Sequence, residues 1–245
     1  MSSIETYLAM QKDHYHKEAN RWTLENKNPV VGGYEKHNNW KDYDEYLFKD
    51  FKTDGLIALD YGTGPGRNII KFNSRFKRID GVDIGQKNIE NAAINLKNSG
   101  IEDSNLYVCD GKSIPTESEI YDVVFSVICF QHIACYEVRY SIFKEVYRVL
   151  KTGGHFCFQM GYGGRDENNP NYKVYIKGNK LFTADYYENA TAAQTTNGFY
   201  DVSVTDPNQL KIDLIEIGFT DFKYDIRPTG PGDTHKNWIF VQARK

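Results

Sequence analysis

The chain has no long apolar run, no excess of either charge and no cysteine framework. Its most apolar stretch, Val123-Val124-Phe125-Ser126-Val127-Ile128-Cys129-Phe130, falls far short of the roughly 20 residues that span a bilayer. No transmembrane helix is expected. The start, Met1-Ser2-Ser3-Ile4-Glu5, lacks the charged and apolar regions of a secretory leader, so a cytoplasmic protein is the expectation. Lysine and arginine number 30 against 33 acidic residues, a net charge of −3. That balance excludes a protein that grips nucleic acid by bulk charge. Cys109, Cys129, Cys135 and Cys157 form no CxxC pair and have no histidine at zinc-finger spacing. They read as reduced, mostly buried thiols, and no metal site is expected.

What the chain does have is 40% hydrophobic residues, enough for a packed core, in 245 residues, enough for one large domain. Leu56-Ile57-Ala58-Leu59 is a short apolar run that leads into Asp60 and a glycine cluster, the pattern of a parallel strand buried on both faces. Residues 79–83, 106–109, 121–128 and 155–160 read as four more strands. Between them, Asn68 to Phe72 begins a helix. From Gln86, a second helix places Ile89, Ala92, Ala93 and Leu96 on one face and closes at Gly100. Ile142, Phe143, Val146 and Val149 mark a third, which Gly153-Gly154 is expected to stop. Strands alternating with helices specify a doubly wound, Rossmann-like α/β sheet. After Asp206 a helix runs to Gly218. Residues 219–227 and 238–243 then form two strands with no helix between them, an antiparallel hairpin.

This divides a single domain into four parts. Residues 1–52 are a helical cap rich in charge and rings, and 53–160 are the ligand-binding core. Residues 161–205 are an insertion after strand five, and 206–245 are the last helix and hairpin.

The chemistry concentrates in Asp60-Tyr61-Gly62-Thr63-Gly64-Pro65-Gly66, at the turn from strand one to helix one. Ligands of open α/β sheets bind at such strand ends, and glycines let backbone approach them closely. A dinucleotide fingerprint would need glycine at 67, but that residue is Arg67. Gly81-Val82-Asp83 ends strand two with a carboxylate able to accept ribose hydroxyls. Asp110-Gly111 ends strand three, where an acceptor and an amide can read an adenine edge.

Together these motifs, with the strand Tyr121-Asp122-Val123-Val124-Phe125-Ser126 and the turn Leu150-Lys151-Thr152-Gly153-Gly154, resemble class I S-adenosylmethionine-dependent methyltransferases over residues 54–245. The resemblance implies a seven-stranded, mostly parallel sheet with an antiparallel C-terminal hairpin. It implies S-adenosyl-L-methionine as cofactor, with Asp60, Gly62 and Gly64 at its methionine part. Asp83 and Ile84 would lie at its ribose, and Asp110 and Gly111 at its adenine. Residues Ile128 to His132 would border the sulfonium and the acceptor. His132 is the first choice of general base, because an imidazole there has a suitable pKa. His14, His37 and Tyr34 are weaker choices. Relatives that methylate nucleobase amines carry Asn/Asp-Pro-Pro-aromatic after strand four, and those attacking ring carbon carry Pro-Cys. Ser126-Val127-Ile128-Cys129 is neither. A small-molecule acceptor is therefore expected, with methylation at O or N and neither nucleic acid nor membrane as partner. Tyr15, Tyr34 and His37 in the cap, and Tyr162 and Arg165 in the insertion, are the expected acceptor contacts. Two other readings stand beside this one: an NAD-dependent oxidoreductase, disfavoured by Arg67, and a non-catalytic cofactor-binding protein of the same fold.

Aromatic residues make up 14% of the chain. The cap and the insertion are both rich in tyrosine, so the excess reads either as core packing or as an aromatic wall around a cationic methyl donor.

Overall fold

The structure is a computed structural model that describes residues 3–21, 43–133, 135–165, 203–204, 206–229 and 235–245. Its centre is a sheet whose strands are β1 (Ile57–Tyr61), β2 (Arg78–Asp83), β3 (Leu106–Val108), β4 (Tyr121–Val127), β5 (Leu150–Arg165), β7 (Thr220–Pro228) and β8 (His235–Arg244), with a short β6 (Ser203–Val204). The order is β3-β2-β1-β4-β5-β8-β7. The first five strands pair in parallel; β8 runs antiparallel between β5 and β7. Because the order reverses between β1 and β4, a crevice opens at their carboxyl ends.

Period-two alternation sends successive side chains to opposite faces. Leu59, Val124, Phe156 and Phe158 join one core with α5 (Tyr136–Val149) and α6 (Pro207–Ile217). Ala58, Val123, Phe125 and Cys157 join the other with α2 (Tyr43–Leu47), α3 (Arg67–Phe72) and α4 (Gln86–Asn98). Phe125 is fully buried and meets the rings of Phe48, Phe72 and Phe76 at 5.5–6.2 Å. Each such phenylalanine contributes about 1.5–3 kcal/mol by burial, so much of the aromatic content is core.

Three expectations change in detail. Helix α5 ends at Val149 and β5 starts at once at Leu150, so Gly153-Gly154 does not stop the helix. Gly153 has φ 80° and sits where β5 shifts register against β4, a kink that glycine tolerates. Strand β5 also continues to Arg165, so the first five residues of the expected insertion belong to the sheet. The insertion's other described residues, Ser203 and Val204, pair in parallel with Gly161 and Tyr162 and add an eighth strand. One edge of β5 is held by β8 along this whole stretch, so β6 takes the edge that β4 leaves after Val127↔Gln159.

Helix α1 (Ser3–Glu18) crosses the carboxyl edge of the sheet. Its covered positions are Ile4, Tyr7, Leu8, Gln11, His14, Tyr15 and Glu18, a stripe at helical spacing. The first turns of that stripe are apolar and dock on the core. The last turns are polar. Asn91 of α4 holds the Ala19 carbonyl at 2.8 Å, and Gln11 reaches the His132 carbonyl at 3.3 Å.

Candidate active site

The site is built where β1, β2, β3 and β4 end under α1. The loop after β1 is pinned by Gly62 N–H and Thr63 N–H, which both donate to the Val82 carbonyl, at 2.8 and 3.0 Å. Gly62 has φ 77°, and a side chain there would collide with the Cys129 sulfur, so only glycine fits. Cys129 itself is no nucleophile. Burial and the Asp83 and Asp60 carboxylates push its thiol well above the ordinary range.

Two aspartates on neighbouring strands, both with no exposed surface, show what is structural and what is not. Asp80 accepts from Asn105 N–H at 2.9 Å, the Tyr121 hydroxyl at 3.1 Å and the Arg78 guanidinium at 3.2 Å. It is satisfied within the chain. Asp60, at the end of β1, has no well-formed hydrogen bond on either oxygen among the described residues, the Thr63 hydroxyl and the Asn68 side chain being its neighbouring donors. Burial pushes its carboxyl up to about 7, although Thr63, Arg67 and Asn68 pull the other way. A buried acceptor left open beside a glycine loop is suited to a ligand's ammonium group.

Asp83 knits the loop together. Its Oδ2 accepts from Gly64 N–H at 2.9 Å, and its Oδ1 from Gly85 N–H at 2.7 Å and Asn88 at 3.0 Å. Of a carboxylate's roughly four lone-pair positions three are used, which leaves about one for a ligand hydroxyl. Burial raises its pKa against these same hydrogen bonds. Asp110 is exposed. Its Oδ1 accepts from Lys112 N–H, Ser113 N–H and the Ser113 hydroxyl at 2.7–3.0 Å. Partial burial would raise its pKa, but these bonds outweigh it and hold the group below the usual carboxylate range. A side chain at Gly111 would meet Leu8 of α1 at 2.8 Å and Ile84 at 2.9 Å, so both side chains pack directly on the Gly111 backbone beside Asp110.

Beyond β4, Ile128 has φ 57°, a left-handed backbone that a β-branched residue rarely takes. Its N–H is shared between the side-chain oxygen of Gln159 at 3.0 Å and the backbone carbonyl of that residue at 3.3 Å. Gln159 is fully buried, and its amide nitrogen has no partner among the described residues. This residue escaped sequence reasoning, yet it carried a signal: one polar side chain inside His155-Phe156-Cys157-Phe158-Gln159-Met160. His132 ends a short 3-10 helix, Phe130–His132, and its ring lies 6.4 Å from that of Tyr15. His14 packs edge-on against Tyr15 at 5.0 Å. Burial holds His14 below the ordinary imidazole value, with Glu18 opposing and His132 assisting.

The expected residues thus separate into groups. Asp60, Gly62, Gly64, Asp83 and Ile84 converge with Asp110 and Gly111 under α1. Tyr15 and His132 meet. Tyr162 and Arg165 lie along the tail of β5, opposite Asn237 and His235. Tyr34 and His37 lie outside the described residues.

Residues 59–158 match a family model described as a methyltransferase domain. Over these residues the chain is similar to methyltransferase domains. Phosphoethanolamine N-methyltransferase 2 of Caenorhabditis elegans is 30% identical over 166 residues, covering 65% of this chain and 37% of the relative. Sterol methyltransferase-like 3 of Botryococcus braunii is 32% identical over 111 residues, 44% of this chain and 27% of the relative. This chain therefore spans only about a third of the length of these curated relatives. Among solved structures, phosphoethanolamine N-methyltransferase 2 of Haemonchus contortus, bound to phosphomonomethylethanolamine and S-adenosylhomocysteine, aligns with a TM-score of 0.63 at 20% identity. That alignment covers 100% of this chain and 61% of the other. A SAM-dependent methyltransferase from Methanosarcina mazei aligns with the same TM-score at 19% identity, over 81% of this chain and 96% of the other. The chain shares their fold.

Proposed function

We propose that this protein transfers a methyl group from S-adenosyl-L-methionine to an oxygen or nitrogen of a small-molecule acceptor. One observation carries the reading. Three carboxylates stand at the ends of three adjacent strands, each with a different capacity left for a ligand. Asp60 is buried and open. Asp83 has about one lone-pair position to give. Asp110 leaves one oxygen clear of its turn. In that order they suit the amino group, the ribose and the adenine of the cofactor, with Gly62 and Gly64 along its methionine part.

When bound, the cofactor supplies a methyl group already activated on a sulfonium. The chain's work is then to hold the acceptor in line, where positioning alone supplies several kcal/mol. His132 takes the acceptor's proton, and Tyr15, in ring contact, fixes the imidazole. Tyr34, His37, Tyr162 and Arg165 are the proposed contacts of the acceptor. The balanced charge favours a small acceptor over nucleic acid, and no described helix is long and apolar enough to cross a membrane. The reading includes a cytoplasmic setting, which thiols without disulfide partners, such as Cys109, Cys135 and Cys157, support.

The test is a transfer screen with S-adenosyl-L-methionine and a panel of small amines, alcohols and carboxylates. The panel includes phosphoethanolamine and a sterol, the substrates that the relatives' names carry. S-adenosylhomocysteine formed with one acceptor and lost in His132→Ala supports the reading. Hydride transfer with NADH, or no product with any class, contradicts it.

A further inference from the structure

Strand β7 is the last strand of the sheet, and among the described residues no strand pairs with its outer edge. A nine-residue exposed edge is a template for another strand unless something blocks it. Here the sequence is complementary to itself. Asp221-Phe222-Lys223-Tyr224-Asp225-Ile226-Arg227 reads acid, apolar, base, apolar, acid, apolar, base. Turned antiparallel about Tyr224, it sets Lys223 opposite Asp225, Asp221 opposite Arg227 and Phe222 opposite Ile226.

The backbone points the same way. Thr229 N–H donates to the Lys236 carbonyl, and in the β7–β8 register Arg227, Asp225 and Lys223 share that inward phase. Tyr224 and Ile226 therefore turn their N–H and C=O groups to the free edge. Pro228 has the same outward phase, where its missing N–H costs no ladder bond. In the register centred on Tyr224, outward groups meet outward groups. A slip of two residues one way sets Lys223 against itself and Asp221 against Asp225. A slip the other way sets Asp225 against itself and Lys223 against Arg227. Like charges directly opposite are unfavourable, so one register is selected.

The side chains are placed for this contact. Tyr224 is 47% exposed and Ile226 36%, both large for apolar groups on a surface. The charges lie on the other face, where Lys223 meets Asp50, Asp225 meets Lys49, and Arg227 lies over the Tyr46 ring at 4.2 Å. The left-handed Asp221 (φ 51°) and the register shift there end the regular ladder, so the usable stretch is Phe222 to Ile226.

We propose that two copies of this protein pair edge to edge through β7, antiparallel about a two-fold axis at Tyr224, so that their sheets become continuous. Such an interface is isologous, and the cross-strand pairs are Tyr224–Tyr224, Phe222–Ile226 and Lys223–Asp225. The site under α1 lies toward the far end of the sheet order, so this contact stands apart from the methyl-transfer reading.

Sedimentation velocity on the full chain, from about 1 to 100 µM, tests it. Expected is a reversible shift from the 28.3 kDa protomer to twice that mass. Lys223→Asp and Asp225→Lys should each weaken association on the order of tenfold, and the double variant should recover it. The double variant also loses the contacts to Asp50 and Lys49, so recovery reports the cross-copy pair and not the fold. A monomer at every concentration overturns the proposal, the edge then being covered within the chain or left to a different protein. A dimer indifferent to the single reversals overturns it as well.

Discussion

Replacing Asp60 with asparagine should stabilise the ligand-free protein at neutral and alkaline pH while weakening it as a cofactor binder. In the unfolded chain this carboxyl titrates near 3.8; in the folded chain burial pushes it up to about 7. Between those values the folded form holds a proton that the unfolded form has lost. The contribution of this group to stability is therefore greatest below about pH 4 and is lost as pH rises through about 7. The shift of about 3 pKa units corresponds to about 4 kcal/mol at pH 8 and above. Asparagine has nearly the same shape and no charge, but its buried amide also lacks partners, which costs about 1–3 kcal/mol. The net gain expected for Asp60→Asn is then about 1–3 kcal/mol at pH 8, shrinking or reversing at about pH 5. Urea denaturation of both proteins at the two pH values measures this directly. Parallel pH profiles, or a variant less stable at pH 8 than the parent, would refute the reasoning: Asp60 would then be satisfied inside the fold as Asp80 is.

Further outcomes follow from the same geometry. Gly62→Ala forces a left-handed alanine into the Cys129 side chain and should cost about 2–5 kcal/mol in urea denaturation, with partial recovery in Gly62→Ala/Cys129→Gly. His132→Ala should lower kcat by about 10²–10⁴ and leave cofactor affinity unchanged, as read by steady-state kinetics beside a binding titration. Gln159→Leu removes the nearer of two acceptors of Ile128 N–H, leaving the Gln159 backbone carbonyl at 3.3 Å, and should destabilise by only about 0.5–1 kcal/mol, measured by thermal or urea unfolding.

The alternating pattern made the sheet legible, because a strand buried on both faces and ended by glycine or aspartate has few other readings. Asp60, Asp83 and Asp110 stood at strand ends in the sequence as they do in the fold. What periodicity could not convey was capacity. Asp80 and Asp60 look alike in sequence, and only their partners separate a structural carboxylate from an open one. The end of α5 was misplaced because Gly153-Gly154 is a usual stop signal, whereas here it kinks a strand. The aromatic excess divided in a way composition cannot express: Phe48, Phe72, Phe125, Phe143 and Phe156 are core, while Tyr15 stands at the site. Contacts between distant segments were also silent, among them Gln11 with the His132 carbonyl and Leu8 over Gly111.

The central claim is that the β1–β3 strand ends hold S-adenosyl-L-methionine. Isothermal titration with S-adenosyl-L-methionine and, separately, with NADH tests it most directly. The account predicts saturable binding of S-adenosyl-L-methionine near one per chain, weakened at least tenfold in Asp83→Ala, and no NADH binding. Tight NADH binding without S-adenosyl-L-methionine binding, or affinity unchanged in Asp83→Ala, would contradict it.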